Sequence, residues 1–294
     1  MAILTLFLMA LGSATRVMNA GLSCPDWPLC YGELVPREQM NLQVFLEWFH
    51  RLIASSLGCL MILLTGVTWW MKSQLPKWLP ALTTLCLGLI IFQGVLGGLT
   101  VTQLLRFDIV TAHLATGLMF FSCMLVLGSS LMPYQGTGVV DRLPWLSSLA
   151  VALVYFQSIL GGLVASQWAA HQCLAGAQMC RIMYNHFAGV VPPSLTVLAL
   201  VLLSWRTPAL HPHLRGLGKL AFGLLSLQIL VGISTLQLHL QVVGLTVAHQ
   251  AIGAGLLGTL VIFSVIAIRD RHQAESVKPL QTVPIRITGS LEPS

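Results

Sequence analysis

Eight apolar runs govern what this chain can fold into. They occupy residues 2–19, 47–70, 79–100, 109–131, 144–166, 183–204, 217–237 and 244–268. Most reach the ~20 residues that a helix needs to cross a bilayer at 1.5 Å per residue. Lipid satisfies no backbone N–H or C=O, so segments of this kind must be helical. Only 8% of the residues are charged and 56% are hydrophobic, whereas a soluble domain carries about a quarter charged residues. The expected fold is an all-α integral membrane protein. Eight transmembrane helices form two tandem, pseudo-symmetric four-helix bundles, with an N-terminal half at 1–131, a C-terminal half at 132–268 and a cytoplasmic tail at 269–294. Span one is the weakest of the eight: Arg16 closes it early, and no basic leader precedes it. A signal peptide with a small-residue site near Leu11 to Ala14 is the alternative, but its removal would leave seven spans and break the two-fold repeat. A start codon that trims the span is a further alternative.

Basic residues orient the spans. Lys72, Lys77, Arg142, Arg206, Arg215, Lys219, Arg269, Arg271, Lys278 and Arg286 follow even-numbered spans, against Arg16, Arg37, Arg51, Arg106 and Arg181 at the other side. Ten against five places both termini in the cytoplasm by the positive-inside rule. Trp69, Trp70, Trp78, Trp145 and Trp205 then mark the inner interface, and Trp27, Trp48 and Trp168 the outer one. The net charge of +6 belongs to these loops. No cluster of Lys and Arg with interleaved aromatics offers a groove for nucleic acid.

Histidines repeat on this frame. His50 and His113 are 63 residues apart, and so are His186 and His249. Each lies three to five residues into an even-numbered apolar run entered from outside, so all four share one depth. Isolated polar residues bonded to backbone carbonyls are the plain alternative, but four at a repeated spacing inside membrane spans point to function. Facing imidazoles in an apolar bundle are what a haem iron requires for axial ligation. The odd-numbered spans repeat as well, with Gln93, Gly94, Gly97 and Gly98 on span three, Gln157, Gly161 and Gly162 on span five, and Gln228 and Gly232 on span seven. Such glycines allow close helix approach. The glutamines suit either helix cross-linking or the edge of a macrocycle.

The halves differ at one carboxylate. Glu47 precedes His50 by three residues and shares its helix face, whereas Met183 holds that place before His186. A site with a carboxylate beside the imidazoles can move protons or stabilise developing positive charge. A cap at the end of span two is the alternative role for Glu47. Arg51 suits a haem propionate or Asp108. Four of the seven cysteines form close pairs before histidine-bearing spans, Cys24 with Cys30 and Cys173 with Cys180. On an oxidising membrane face such pairs suit disulfides; metal binding is the weaker alternative, since no loop holds a Cys/His quartet at zinc spacing. Cys59, Cys86 and Cys123 fall within spans as small apolar residues, and His171, His211, His213, His239 and His272 lack the repeated placement.

The segment from Gly21 to Gly32, with Cys24-Pro25-Asp26-Trp27-Pro28-Leu29-Cys30 at its centre, resembles the first outer loop of haem A synthases. Glu47-Trp48-Phe49-His50-Arg51 resembles their span-two motif, and Ala248-His249-Gln250 the histidine context of span eight. The resemblance covers nearly the whole chain. It implies oxidation of the C8 methyl of haem O to the formyl group of haem A, for assembly of terminal oxidases in a bacterial inner membrane. It also implies a haem b cofactor held by His186 and His249, and a haem O substrate received at His50 and His113 with Glu47 as the catalytic carboxylate. Complex formation with the prenyltransferase that makes haem O is a further implication, and the electron donor is left open. Met183-Tyr184-Asn185-His186-Phe187 departs from the family by lacking an arginine after the histidine. A dihaem cytochrome relaying electrons from quinol and a haem carrier for oxidase assembly are the rival functions. A prenyltransferase is disfavoured because no aspartate-rich motif is present to hold Mg²⁺ and diphosphate.

Overall fold

A computed structural model describes residues 1–165, 177–238 and 242–277, with side chains described except at 177–180 and 274–277. Among the described residues all the regular elements are helices: α1 (Ala2–Val17), α2 (Leu42–Trp70), α3 (Trp78–Thr102), α4 (Phe107–Leu131), α5 (Leu143–Val164), α6 (Ala177–Gly189), α7 (Val191–Arg206), α8 (Pro212–Gln237) and α9 (Val243–Val277). Among the same residues seven helical stretches are long and apolar enough to cross a membrane, with Arg181–Arg206 counted as one across α6 and α7. The first apolar run gives only the 16-residue α1, shorter than a full span.

Local chemistry sets the ends. The Asn41 side chain accepts from Val44 N at 3.0 Å and starts α2, satisfying one of the donors that a helix start leaves over. Pro144 and Pro212 lie in the first turns of α5 and α8, where a missing N–H is harmless. The α6–α7 junction falls at Val190, just before Pro192 and Pro193. There the Val190 N–H reaches Phe187 O at 3.3 Å, one residue short of α-helical pairing. Proline removes the N–H and crowds the preceding turn, which accounts for the break.

Neighbours group the helices. α1 packs on α2, α2 on α3, α3 on α4, and α4 back on α1; α5 packs on α6 and α7, α7 on α8, α8 on α9, and α9 back on α5. One buried core joins Leu57 and Met61 of α2, Cys86 of α3, and Phe120 and Met124 of α4. A larger one joins α5, α7, α8 and α9 through residues such as Ala150, Val197, Leu214, Leu257 and Phe263. The two groups meet where α9 lies against α1 and α4, and α4 against α5. α9 is the hub: 67% of its apolar window is buried, against 17–28% for the other six. Gly258 brings α9 onto α4 so closely that a Cβ there would lie 2.9 Å from Leu125 Cδ1 and 3.0 Å from Phe121 Cε1.

The end of α9 remote from the histidines closes this arrangement. The helix continues through Val277, beyond the end of the apolar run, and Asp270 is fully buried. Its carboxylate accepts from Tyr134 Oη at 2.6 Å, Thr137 N at 3.0 Å and Gly138 N at 2.7 Å. Arg269 donates to Ser129 O and Met132 O at 2.7 and 2.9 Å. These bonds fasten the 132–142 connection between the two groups. Buried carboxylates persist where donors surround them in this way. Burial, foremost, and the Asp270 bond raise the Tyr134 phenol above its ordinary pKa. The Tyr134 ring also lies 4.8 Å from that of His211, so His211 is packed rather than simply solvated.

Candidate functional site

Each of the four repeated histidines leans on a glycine of the helix before it in the packing. Measured from a Cβ built on the glycine, the imidazole Cε1 would lie 2.9 Å away for Gly12 and His50, 3.5 Å for Gly97 and His113, 3.0 Å for Gly161 and His186, and 2.7 Å for Gly232 and His249. Four hairpins therefore repeat one contact, with glycine on α1, α3, α5 and α8, and histidine on α2, α4, α6 and α9. At Gly12, Gly161 and Gly232 the ring lies so near the facing backbone that an added side chain would crowd it, whereas at Gly97 the distance is that of ordinary contact. His50 and His113 are within electrostatic reach of one another, and so are His186 and His249. The helices begin upstream of the apolar runs, at Leu42, Phe107, Ala177 and Val243, which sets the histidines about two turns inside rather than near the first residue.

The glutamines tie helices together, and they do so unevenly. Gln157 Nε2 lies 3.0 Å from His186 Nδ1 and donates to His186 O at 2.8 Å. Gln228 Nε2 lies 3.2 Å from His249 Nε2. Gln93 instead donates to His113 O at 2.9 Å and to Thr116 Oγ1, leaving the His113 ring alone. Each glutamine lies one turn before its glycine, and at the corresponding place on α1 stands Leu8. His50 Nδ1, His113 Nδ1 and His249 Nδ1 are buried without a hydrogen-bond partner, as are Gln228 Oε1, Thr246 Oγ1, Ser13 Oγ and Arg16 Nε. Unsatisfied buried polar atoms are uncommon; three of those found here belong to the repeated imidazoles, while Gln39 Oε1 and Arg215 Nε lie elsewhere.

A second assembly stands beside the first pair, and among the described residues beside that pair alone. Cys24 and Cys30 are joined in a disulfide, with Cα atoms 4.7 Å apart. Glu47 is buried, at 4% exposure. Its Oε2 accepts from Cys24 N at 2.8 Å, and its Oε1 pairs with Arg51 Nη2 at 2.5 Å. Arg51 Nη1 donates to Asp26 O and Leu29 O, both at 2.6 Å, and Nη2 to Cys24 O at 3.3 Å. The pair thus fastens the disulfide loop to α2. Of the two partners expected for Arg51, a haem propionate or Asp108, the second is ruled out: Asp108 pairs with Arg106 at 2.7 Å, because those two share a helix start, while Arg51 faces the loop. The Asp26 carboxylate accepts from Gly32 N at 2.8 Å and Tyr31 N at 2.6 Å, and these bonds, that of Gly32 first, hold its pKa below the usual value. Trp27 from the same loop covers Gly98, where a Cβ would lie 3.1 Å from Trp27 Cδ2. Gly98 is next to Gly97, which faces His113.

Of the remaining cysteines, Cys86 is buried, Cys123 is half-buried, and Cys59 is exposed on the outside of α2, not enclosed as expected. Cys173, Trp168, His171, His239, Lys278 and Arg286 lie outside the described residues, as does the side chain of Cys180. The sequence reading missed Gly12, Arg16 and Gln250. The repeat of glycine on odd-numbered spans was the signal for Gly12; no sequence signal pairs Arg16 with Gln250.

Among the described residues no group of three or more His, Cys, Asp and Glu gathers to hold a bare metal ion. Two facing imidazoles suit an iron whose other ligands come from a macrocycle, and glycine cradles with unpartnered imidazole nitrogens fit such a group.

Comparison with known proteins agrees. Residues 1–261 match the COX15-CtaA family, described as cytochrome oxidase assembly protein. A haem A synthase of Shewanella oneidensis is 31% identical, over 88% of this chain and 92% of its own length. Haem A synthases of Sinorhizobium fredii and Alkalihalophilus pseudofirmus are 26% and 24% identical, covering 85% of this chain and 83% and 86% of their own lengths. The chain belongs to this family of cytochrome oxidase assembly proteins and is a multi-pass membrane protein.

Proposed function

We propose that this member of the family is a haem A synthase, an oxidoreductase that converts the C8 methyl of haem O to the formyl group of haem A for cytochrome oxidase assembly. The relatives named above support the activity. One structural observation carries the assignment of its parts: four Gly–His contacts repeat, and among the described residues a buried carboxylate and a disulfide loop attach only to the first pair.

The finer reading follows from that asymmetry. The two closed groups of helices are two tandem four-helix bundles, and the adjacency of their members supports this. His186 and His249 hold a haem b, which when bound supplies electron transfer. Gln157 and Gln228 stand against the two rings; an amide oxygen turned to the ring nitrogen would accept its proton, as partners of metal-bound histidines do, and would leave the other nitrogen for iron. His50 and His113 receive haem O, and rings that no glutamine amide reaches suit a site that must also release its product. Glu47 stands one turn from His50. In a site shielded from water its charge counts for more than at a surface, so it accepts a proton or stabilises positive charge as the methyl is oxidised. Arg51 and the Cys24 N–H keep it aimed, and the loop carrying Trp27 shields the first site. We place the histidine end toward the outer face of a bacterial inner membrane with both termini cytoplasmic, on the distribution of basic residues. Cys173 and Cys180 form the second outer disulfide, and the prenyltransferase that makes haem O is a partner in handover.

Purified protein given haem O, a reductant and dioxygen as the oxidant, followed by pigment chromatography, tests the activity. Haem A in the extract is the expected result. Haem O recovered unchanged from protein with full haem content overturns it and leaves electron relay or haem carriage.

A further inference from the structure

Arg16 presents a charge that the protein leaves uncompensated. It occupies the last turn of α1, one turn beyond the Gly12 that touches His50. Its Nη2 donates to Gln250 Oε1 at 2.9 Å, and Gln250 directly follows His249 on α9. Its Nε is buried without a hydrogen-bond partner, and among the described residues no carboxylate forms an ion pair with it. Ser13, three residues earlier on the same face, is 2% exposed, and its hydroxyl is buried without a partner too. A guanidinium taken out of water with only a neutral amide for company is unfavourable unless an anion joins it. Its fork of donors matches a carboxylate in two-point fashion, and the Ser13 hydroxyl adds a third donor. Arg16 also stands where α1 of the first group packs on α9 of the second, one turn from the glycine that touches His50 and bonded to the neighbour of His249.

We infer that Arg16, with Ser13 and Gln250, is a carboxylate site at the junction of the two halves that binds a propionate of a haem held by one of the histidine pairs. The inference rests on the haem reading above. Arg51, the other arginine near the first pair, is engaged by Glu47 and three loop carbonyls, so Arg16 is the cation with donors to spare. Through Gln250 a charge on the propionate is felt beside His249, which couples occupancy of one site to the other.

The test uses full-length protein in detergent, titrated with ferric haem b and with its dimethyl ester, whose propionates carry no charge; the Soret band reports binding. Wild type is expected to bind the ester roughly tenfold more weakly, as loss of one charge-assisted contact implies. In Arg16→Met that difference should vanish, and in Arg16→Lys, which keeps the charge without the fork, it should shrink several-fold. Arg16→Lys also carries the test if Arg16→Met fails to insert. Gln250→Ala should retain most of the difference. An ester penalty equal to that of wild type in both Arg16 variants overturns the inference while leaving the haem reading intact. Wild type that binds neither pigment overturns the haem reading itself. Repeating the titration with haem O and its ester on His186→Ala protein identifies the source: a retained penalty assigns the propionate to the first pair, a lost one to the second.

Discussion

The first and second halves share one helical hairpin and differ in what holds the imidazole. In the second half a glutamine amide reaches a ring nitrogen of each histidine. In the first half Gln93 bonds only the backbone of His113 and its neighbour Thr116, and Leu8 replaces the other glutamine. What the first half has instead is Glu47, tied to Arg51 and to the disulfide loop. Rings fixed by a second shell favour a group that stays. Rings left free beside a carboxylate favour a group that is bound, altered and released. On the proposed reading, the repeated glycine–histidine contact supplies two similar places, and a few polar side chains would make one a store of electrons and the other a site of chemistry.

The largest test removes the contrast altogether. His186→Ala should abolish the low-spin haem spectrum of the second half, read by absorption of purified protein, while haem O still binds. A full low-spin spectrum in that variant would end the assignment of this pair. Next in size, Glu47→Gln should lower haem A formation about 100-fold, the scale of lost acid–base or charge stabilisation, with the second-half haem and haem O binding retained. Near-normal turnover would mean that Glu47 only anchors the loop.

The glutamines sharpen the comparison further. Gln157→Leu or Gln228→Leu should weaken haem retention by about 10–100-fold, whereas Gln93→Leu should change it little; dialysis of haem from detergent-purified variants measures this. An equal effect of all three would erase the proposed difference between the halves. The glycines give a graded series. Gly232→Ala, with its added Cβ 2.7 Å from His249 Cε1, should cost about 1–3 kcal/mol of stability. Gly97→Ala, at 3.5 Å from His113, should stay within about 0.5 kcal/mol. Thermal unfolding of the two variants decides the order. The smallest effect is expected from Cys30→Ser, because Glu47 and Arg51 hold the loop independently through four backbone contacts. Non-reducing peptide mapping of wild type should recover Cys24 linked to Cys30, and free thiols there would refute the disulfide.

The membrane helices were legible because lipid allows the backbone few options, and the histidines because their spacing repeats across the two halves. The Cys24-to-Cys30 loop was legible from its short separation. Span one was overestimated: its run of apolar residues reads to 19, but the helix ends at Val17 and is too short to qualify as a full span. The glutamines showed in the sequence as a repeat, but which of them would meet a ring nitrogen did not, since that choice depends on a shift of less than a helical turn between packed neighbours.

By itself the sequence determined the helical membrane class, the period of the histidines and the lone carboxylate, since these follow from hydropathy and spacing along one chain. Only the tertiary structure decided that Arg51 faces the loop and not Asp108, that Asp270 is buried by the connection between the halves, and that Arg16 meets Gln250. Partners such as Arg16 and Gln250 are 234 residues apart, and no periodicity relates them. Their contact exists because α1 and α9 pack side by side, and in lipid that packing is set by the fit of small residues and facing side chains rather than by the hydrophobicity that identifies a span.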